Sequence, residues 1–239
     1  MSTAAPLLPS PSPSGIASEL LHLTLTACGL ARSAAAAAAD ALASRSDNAF
    51  ATIADCERKL DLLDREMDER VAYAVTLVGA RDARDLLICM KCVIDLERIG
   101  DLLCAFASRV QALDDGLEME DVKDITVMAT FLEKMLRDAQ EGLSLRDVDR
   151  AIALVRADLE IDRRRNLLSI RLLESRTTTT RNAVHLLFMA QALERAGDHA
   201  VNLGEEICHM VTGHTIRHVR KETDKSYEQR YLQWLREKK

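Results

Sequence analysis

Four carboxylates stand out by their spacing. Glu97 and Asp101 are four residues apart, and so are Glu194 and Asp198. Residues at i and i+4 of an α-helix share a face, so each pair projects from one side of its helix. Two like charges at that spacing destabilise an isolated helix by a few tenths of a kcal/mol, and partial burial adds to the cost unless a cation neutralises them. Oxygen-rich sites of this kind suit hard cations such as Mg, Mn, Ca or iron. Asp158 and Asp162 form another such pair. Asn202, one turn beyond Asp198, could add a neutral oxygen, with Glu205 further along the same stripe. An isolated acidic pair is ordinarily a solvated helix face, and Asp64 with Asp68 is read that way.

Duplication separates the first four from that background. Leu-Glu-Arg-x-Gly-Asp occurs at residues 96–101 and again at 193–198. The register holds beyond it, with Cys89, Cys92, Leu96, Ile99, Leu103 and Phe106 becoming Leu186, Met189, Leu193, Ala196, Ala200 and Leu203. Apolar or small residues at spacings of three and four describe one buried helix face, and finding it twice indicates an internal repeat. On the helix before each motif, Ala49-x-x-x-Ile53 ahead of Asp55 parallels Ala151-x-x-x-Val155 ahead of Asp158, with the first aspartate one residue early. Asp55 is therefore the expected counterpart of Asp158. Gly100 and Gly197 cost roughly 1 kcal/mol each against Ala inside a helix, which predicts close approach of a neighbouring helix or a metal. Arg98 and Arg195 are expected to pair with carboxylates.

The elements that must position these groups are helices. A chain of 239 residues can build one substantial core or two small ones in tandem. Aromatic content of 3%, with 4 Pro, 9 Gly and 29% charged residues, describes an all-α protein. A net charge of −6, without a basic face bearing stacking aromatics, argues against nucleic acid as a partner. The six cysteines do not read as a disulfide framework. Cys89-x-x-Cys92 invites a redox or zinc reading, but both residues fall on the apolar register and are assigned to core packing.

Residues 1–15, rich in Pro and Ser, read as a disordered lead-in with no basic residue ahead of an apolar run, unlike a signal peptide. Helices are expected over residues 16–44, 48–78, 84–113, 121–142 and 148–174, and from a threonine cap at 177–180 to about 211. The first is apolar enough to pass for a membrane span but is interrupted by Glu19, Arg32 and Asp40. The predicted architecture is two tandem three-helix bundles of long antiparallel helices, at residues 16–115 and 116–213. A tail over 214–239 follows, partly helical and amphipathic through Tyr231, Leu232, Trp234 and Leu235. His209 is placed on the exposed side of the sixth helix, and His214 and His218 are read as surface residues.

The doubled Leu-Glu-Arg-x-Gly-Asp resembles the signature of the PhoU family, which carries it once in each of two tandem three-helix units. His199, Ala200, Val201, Asn202 and Glu205 continue the fuller pattern in the second copy. Ala80-x-Asp82-Ala83-Arg84 is similar to the family's Pro-x-Ala-x-Asp-Leu-Arg turn without its Pro and Leu. Glu174-Ser175-Arg176-Thr177 and Ile216-Arg217-His218-Val219 are also similar to family segments. The resemblance implies multinuclear metal clusters on the bundle surfaces, iron or zinc in some members, with manganese and magnesium also open for this chain. It carries over to Glu97, Asp101, Glu194 and Asp198, with Asp158, Asp162 and Asn202 as weaker additions. The first copy has Leu102, Ala105 and Ser108 where the second has His199, Asn202 and Glu205, so the second site is expected to be better formed and the first weak or empty.

The resemblance also implies a cytoplasmic regulator rather than an enzyme. Such a protein restrains phosphate-starvation signalling and phosphate uptake by linking the phosphate ABC transporter ATPase to its sensor histidine kinase. It would act as a homodimer and reach the membrane only through partners. Two alternatives remain from the residues themselves. One is a metal-binding or metal-free helical scaffold with a different partner. The other is a carboxylate-bridged di-iron enzyme, which needs Glu-x-x-His, whereas Gly100 and Gly197 stand three residues after Glu97 and Glu194.

Overall fold

The computed structural model describes residues 13–214. Most of the Pro/Ser-rich lead-in, and the amphipathic pattern and His218 of the tail, lie outside the described residues. Six helices occupy nearly everything between: α1 (Pro13–Ser44), α2 (Asp47–Ala74), α3 (Ala80–Gln111), α4 (Met119–Leu145), α5 (Val148–Glu174) and α6 (Thr180–Thr212). The first and second sets of three form two tandem three-helix bundles, the predicted duplication.

Where helix ends differ from expectation, the local chemistry accounts for it. α1 is already helical at Pro13, the first described residue, three residues before the expected start. The turn expected at residues 79–83 lies instead at 75–79: Gly79 is the N-cap of α3, and its carbonyl accepts the Ala83 N–H at 2.9 Å. Asp147 caps α5 by accepting from the N–H groups of Asp149 and Arg150, and Thr179 caps α6 by accepting from that of Asn182. Arg146 and Gly213 adopt left-handed conformations that end α4 and α6.

α1 packs on α2, α3 and α4; α3 also packs on α6, and α6 on α4. These four helices, α1, α3, α6 and α4, form a closed central ring, with α2 laid against α1 and α3 and α5 against α4 and α6. By length and composition alone the segment Gly15–Ser44 could cross a membrane. Here its small residues Ala27, Ala31, Ala34, Ala35, Ala38 and Ala41 are buried against three neighbours, which only short side chains permit.

The two bundles are joined by polar contacts as well as by the shared core. Lys91 on α3 reaches the buried Glu206 on α6 at 3.3 Å. Asp95 Oδ1 contacts His199 Nδ1 at 2.7 Å and accepts from Asn202 Nδ2 at 2.9 Å. On the other side of the ring Gln140 accepts from Arg32 and donates to the Leu25 carbonyl, both at 3.0 Å. Cys89 and Cys92 are buried free thiols; burial pushes the first up to about 11 and the second well above its ordinary value, as their core assignment requires.

Two glycines give opposite expectations. A Cβ at Gly204 would lie 2.9 Å from Val155 Cγ2 and 3.0 Å from the Ala151 carbonyl, which is backbone and cannot yield. Gly204→Ala is expected to destabilise the protein by about 1–3 kcal/mol. A Cβ at Gly29 meets only the Gln140 side-chain amide at 3.4 Å, so Gly29→Ala should gain about 0.5–1 kcal/mol of helix stability. Denaturant melts of the two variants against the parent check both signs.

Candidate metal sites on the two helix pairs

In both bundles the motif helix crosses the preceding helix at the motif glycine. A Cβ at Gly100 would stand 2.9 Å from Leu60 Cδ1 and 3.7 Å from Glu57 Cα; one at Gly197 would stand 2.7 Å from Asp158 Oδ1 and 3.3 Å from Ile161 Cδ1. The predicted close approach is thus to a helix. The pairing also fixes the register of the repeat: Glu57 takes the place of Asp158, Leu60 that of Ile161, Asp61 that of Asp162, and Asp64 that of Arg165.

That register corrects the expected role of Asp55. Aligning Ile53 with Val155 slips the pairing by one residue, and one residue on a helix is about 100° of rotation. The buried positions pair Ile53 with Leu154, Leu60 with Ile161 and Met67 with Leu168. Asp55 turns outward instead, held to Lys59 at 2.6 Å and Arg58 at 3.3 Å, and these hydrogen bonds keep its carboxyl below the usual range.

In the second unit Glu194, Asp198, Asp158 and Asp162 come together. Burial raises the Glu194 carboxyl to about 7 from 4.5; the Arg165 guanidinium, 3.8 Å away, opposes this, and Asp198, Asp162 and Asp158 reinforce it. Asp158 is fully buried beneath Gly197. Asn202 does not join them: its amide donates to Asp95 across the α3–α6 contact, so the structure places it between the bundles. The pairing expected of Arg195 falls to Arg165.

In the first unit the structure assembles more acid than the sequence reading found. Burial raises the Glu97 carboxyl, with Asp101, Asp64 and Asp61 adding to the rise and Arg98 opposing it. Glu57 is raised by burial and then by Asp61 and Asp101, and Asp64 by burial and then by Asp68 and Asp61. Arg98 lies 3.4 Å from Glu97 and 3.6 Å from Asp101, the pairing expected of it. Asp64 therefore belongs to the cluster, and with Glu57 and Asp61 it gives the first unit five carboxylates beside the second unit's four. The missed signal was the run Glu57, Asp61, Asp64, at spacings of four and three on one face of α2.

Among the described residues no three His, Cys, Asp or Glu side chains stand in ligating geometry as they are placed. The donor chemistry of both clusters is nonetheless consistent: every candidate ligand is a carboxylate oxygen. His199 is turned to Asp95, and the Cys104 thiol beside the first cluster is pushed up to about 11, chiefly by burial. Such a set fits a hard cation and not a soft one.

The comparisons with known proteins agree with this architecture. Residues 25–110 and 125–207 each match the family model of the PhoU domain. The chain belongs to the PhoU family. A curated PhoU relative from Zymomonas mobilis, a "Phosphate-specific transport system accessory protein PhoU homolog", is 31% identical over 193 residues, covering 77% of this chain and 80% of its own. One of the same description from Caulobacter vibrioides is 30% identical over 217 residues, covering 86% and 94%. Among solved structures, PhoU from Streptococcus pneumoniae superposes with a TM-score of 0.77 at 24% identity, over 84% of this chain and 97% of that one. PhoU from Pseudomonas aeruginosa gives 0.77 at 23%, over 84% and 99%. At those identities the two structures speak for the PhoU fold.

The raised Glu194 carboxyl has a consequence with an unusual sign. Below pH 4.5 the folded and unfolded states both hold its proton, whereas between 4.5 and about 7 the folded state alone tends to. Folded-state stability in metal-free buffer should therefore fall as pH rises through that window, opposite to a salt-bridged carboxylate. Glu194→Gln is expected to flatten this slope and to stabilise the metal-free protein above pH 7. Because the group is partly exposed and screened, the gain should be on the order of 1 kcal/mol. Thermal melts of parent and variant across that pH range measure both effects.

Proposed function

We propose that this protein is a cytoplasmic regulator of phosphate homeostasis that restrains phosphate-starvation signalling and phosphate uptake. It would do so by linking a phosphate ABC transporter, through its ATPase, to a sensor histidine kinase. The observation that carries this is the match of both bundles to the PhoU domain, together with relatives whose descriptions name a phosphate-specific transport system accessory protein. The absence of enzymatic activity in this reading draws on the motif itself: the position that would carry the histidine of Glu-x-x-His is glycine in both copies, and that glycine is consumed by helix contact. Recognition surfaces on a rigid double bundle, acting as a homodimer, are then the working parts.

Metal is part of the proposal. Glu57, Asp61, Asp64, Glu97 and Asp101 would hold a cation in the first unit, and Asp158, Asp162, Glu194 and Asp198 in the second. A bound cation would supply the positive charge that the crowded carboxylates lack. The side chains would then tie α2 to α3 and α5 to α6, stiffening the faces offered to partners. Iron, manganese and magnesium fit the oxygen-only donors better than zinc does. A metal-free scaffold is the second reading, favoured by the absence of ligating geometry among the described side chains.

Two experiments test these statements. Deleting the gene should leave phosphate-uptake genes expressed in phosphate-rich medium; expression that stays repressed would contradict the regulatory assignment. Elemental analysis of the purified protein beside Glu97→Ala/Asp101→Ala and Glu194→Ala/Asp198→Ala variants should show each variant losing a share of bound metal. Equal content in all three proteins would remove the metal assignment and leave the scaffold reading.

A further inference from the structure

The two clusters are alike on the motif helices and unlike on the helices opposite. With Gly100 set against Glu57 and Leu60, and Gly197 against Asp158 and Ile161, the positions of α2 and α5 correspond one to one. Glu57 and Asp61 have acidic counterparts in Asp158 and Asp162. The acids that follow them do not. Where α2 carries Asp64 and Asp68, one turn apart, α5 carries Arg165 and Ser169. Two negative charges in the first unit are thus replaced by one positive charge in the second. The Ser169 hydroxyl donates to the Arg165 carbonyl at 2.8 Å and is turned along its own helix.

The arginine at each cluster also comes from a different side and is held differently. In the first unit it is Arg98, on the motif helix, 3.4 Å from Glu97 and 3.6 Å from Asp101, with its side chain 58% exposed. An ion pair so open to water holds weakly, and the guanidinium can turn into solvent. In the second unit Arg165 reaches over from α5, 3.8 Å from Glu194, with its side chain 31% exposed and that of Glu194 19%. Arg165 Nε is buried without a hydrogen-bond partner, and Glu194 is the one ion pair of this guanidinium among the described residues.

We infer that Arg165 is a built-in competitor for metal at the second cluster, so that the first cluster fills at a lower concentration of divalent cation than the second. This rests on the metal reading above. Arg165 repels a divalent ion entering among Glu194, Asp198, Asp158 and Asp162, and in a half-buried setting that repulsion is screened less than it is in water. It also occupies Glu194, which must exchange the guanidinium for the ion. At the corresponding place in the first unit Asp64 attracts, and Arg98 is free to leave. Both differences act in the same direction. The fuller motif of the second copy does not offset them, because His199 and Asn202 are turned to Asp95. The pair α2 and α3 is then tied together first, and α5 and α6 only when the cation level suffices to displace Arg165, which makes the protein a two-step reader of divalent cation.

Calorimetric titration of the full chain with Mn2+ tests this one cluster at a time. With the first cluster disabled by Glu97→Ala and Asp101→Ala, adding Arg165→Gln should tighten the remaining binding by about tenfold or more. Arg165→Lys in the same background keeps the charge and should leave the binding near its value with Arg165. With the second cluster disabled by Glu194→Ala and Asp198→Ala, adding Asp64→Arg should weaken binding by a similar factor. Circular dichroism checks that each variant keeps its helicity, as substitutions at these partly exposed side chains should. Binding no tighter with Arg165→Gln, or Arg165→Lys behaving as Arg165→Gln does, would overturn the inference and leave the metal reading standing. No Mn2+ binding by the parent or by any variant would remove the metal reading and this inference with it.

Discussion

A close helix contact in each bundle exists because one carbon atom is missing. At Gly100 and Gly197 the motif helix comes so near its predecessor that a methyl group would overlap Leu60 in one bundle and Asp158 in the other. Gly inside a helix is a standing cost of roughly 1 kcal/mol. The contact that offsets it places Glu97 and Asp101, or Glu194 and Asp198, directly beside acidic residues of α2 or α5. The motif's glycine and its acids are therefore one device: the first sets the distance and the second face each other across it.

Elsewhere the protein neutralises its buried acids thoroughly. Asp121 is held by Arg171 at 2.8 Å, and Arg171 and Arg164 reach Asp124 at 2.8 and 3.1 Å. Glu206 has Lys91, and Asp95 has both His199 and Asn202. At the two clusters Arg98 lies against Glu97 and Asp101, and Arg165 against Glu194. Burial raises the carboxyls of Glu57, Asp64, Glu97 and Glu194, and neighbouring carboxylates add to the rise. Like charges at i and i+4 lower helix stability, so folding alone does not favour this crowding. The cation proposed above would bring positive charge to these carboxylates.

Most of this architecture was legible in the sequence because long amphipathic helices announce themselves through spacing. The repeat, the six helices, the core role of Cys89 and Cys92 and the first-choice carboxylates all follow from period and register. The partner helix of each motif was harder to read. α2 and α5 diverge in sequence, and aligning them by Ala49 and Ala151 alone allowed a one-residue slip that promoted Asp55 and hid Glu57 and Asp61. Only the glycine contact, a relation between residues about 40 apart, sets the register correctly. Asn202 shows the complementary failure. It sits one turn from Asp198 on the same helix, yet α6 faces α5 on one flank and α3 on the other, and Asn202 belongs to the second.

If the clusters are held apart from neutrality for a cation, then supplying one must stabilise the fold. Thermal melting at neutral pH with increasing Mn2+ tests this most directly. The account predicts a melting temperature that climbs steadily with the logarithm of Mn2+ concentration, a gain of about 2.7 kcal/mol per site at a hundredfold excess over its dissociation constant. It predicts as well that the stability change between pH 4.5 and about 7 is suppressed when Mn2+ is present. A melting temperature indifferent to Mn2+ across that range would contradict it.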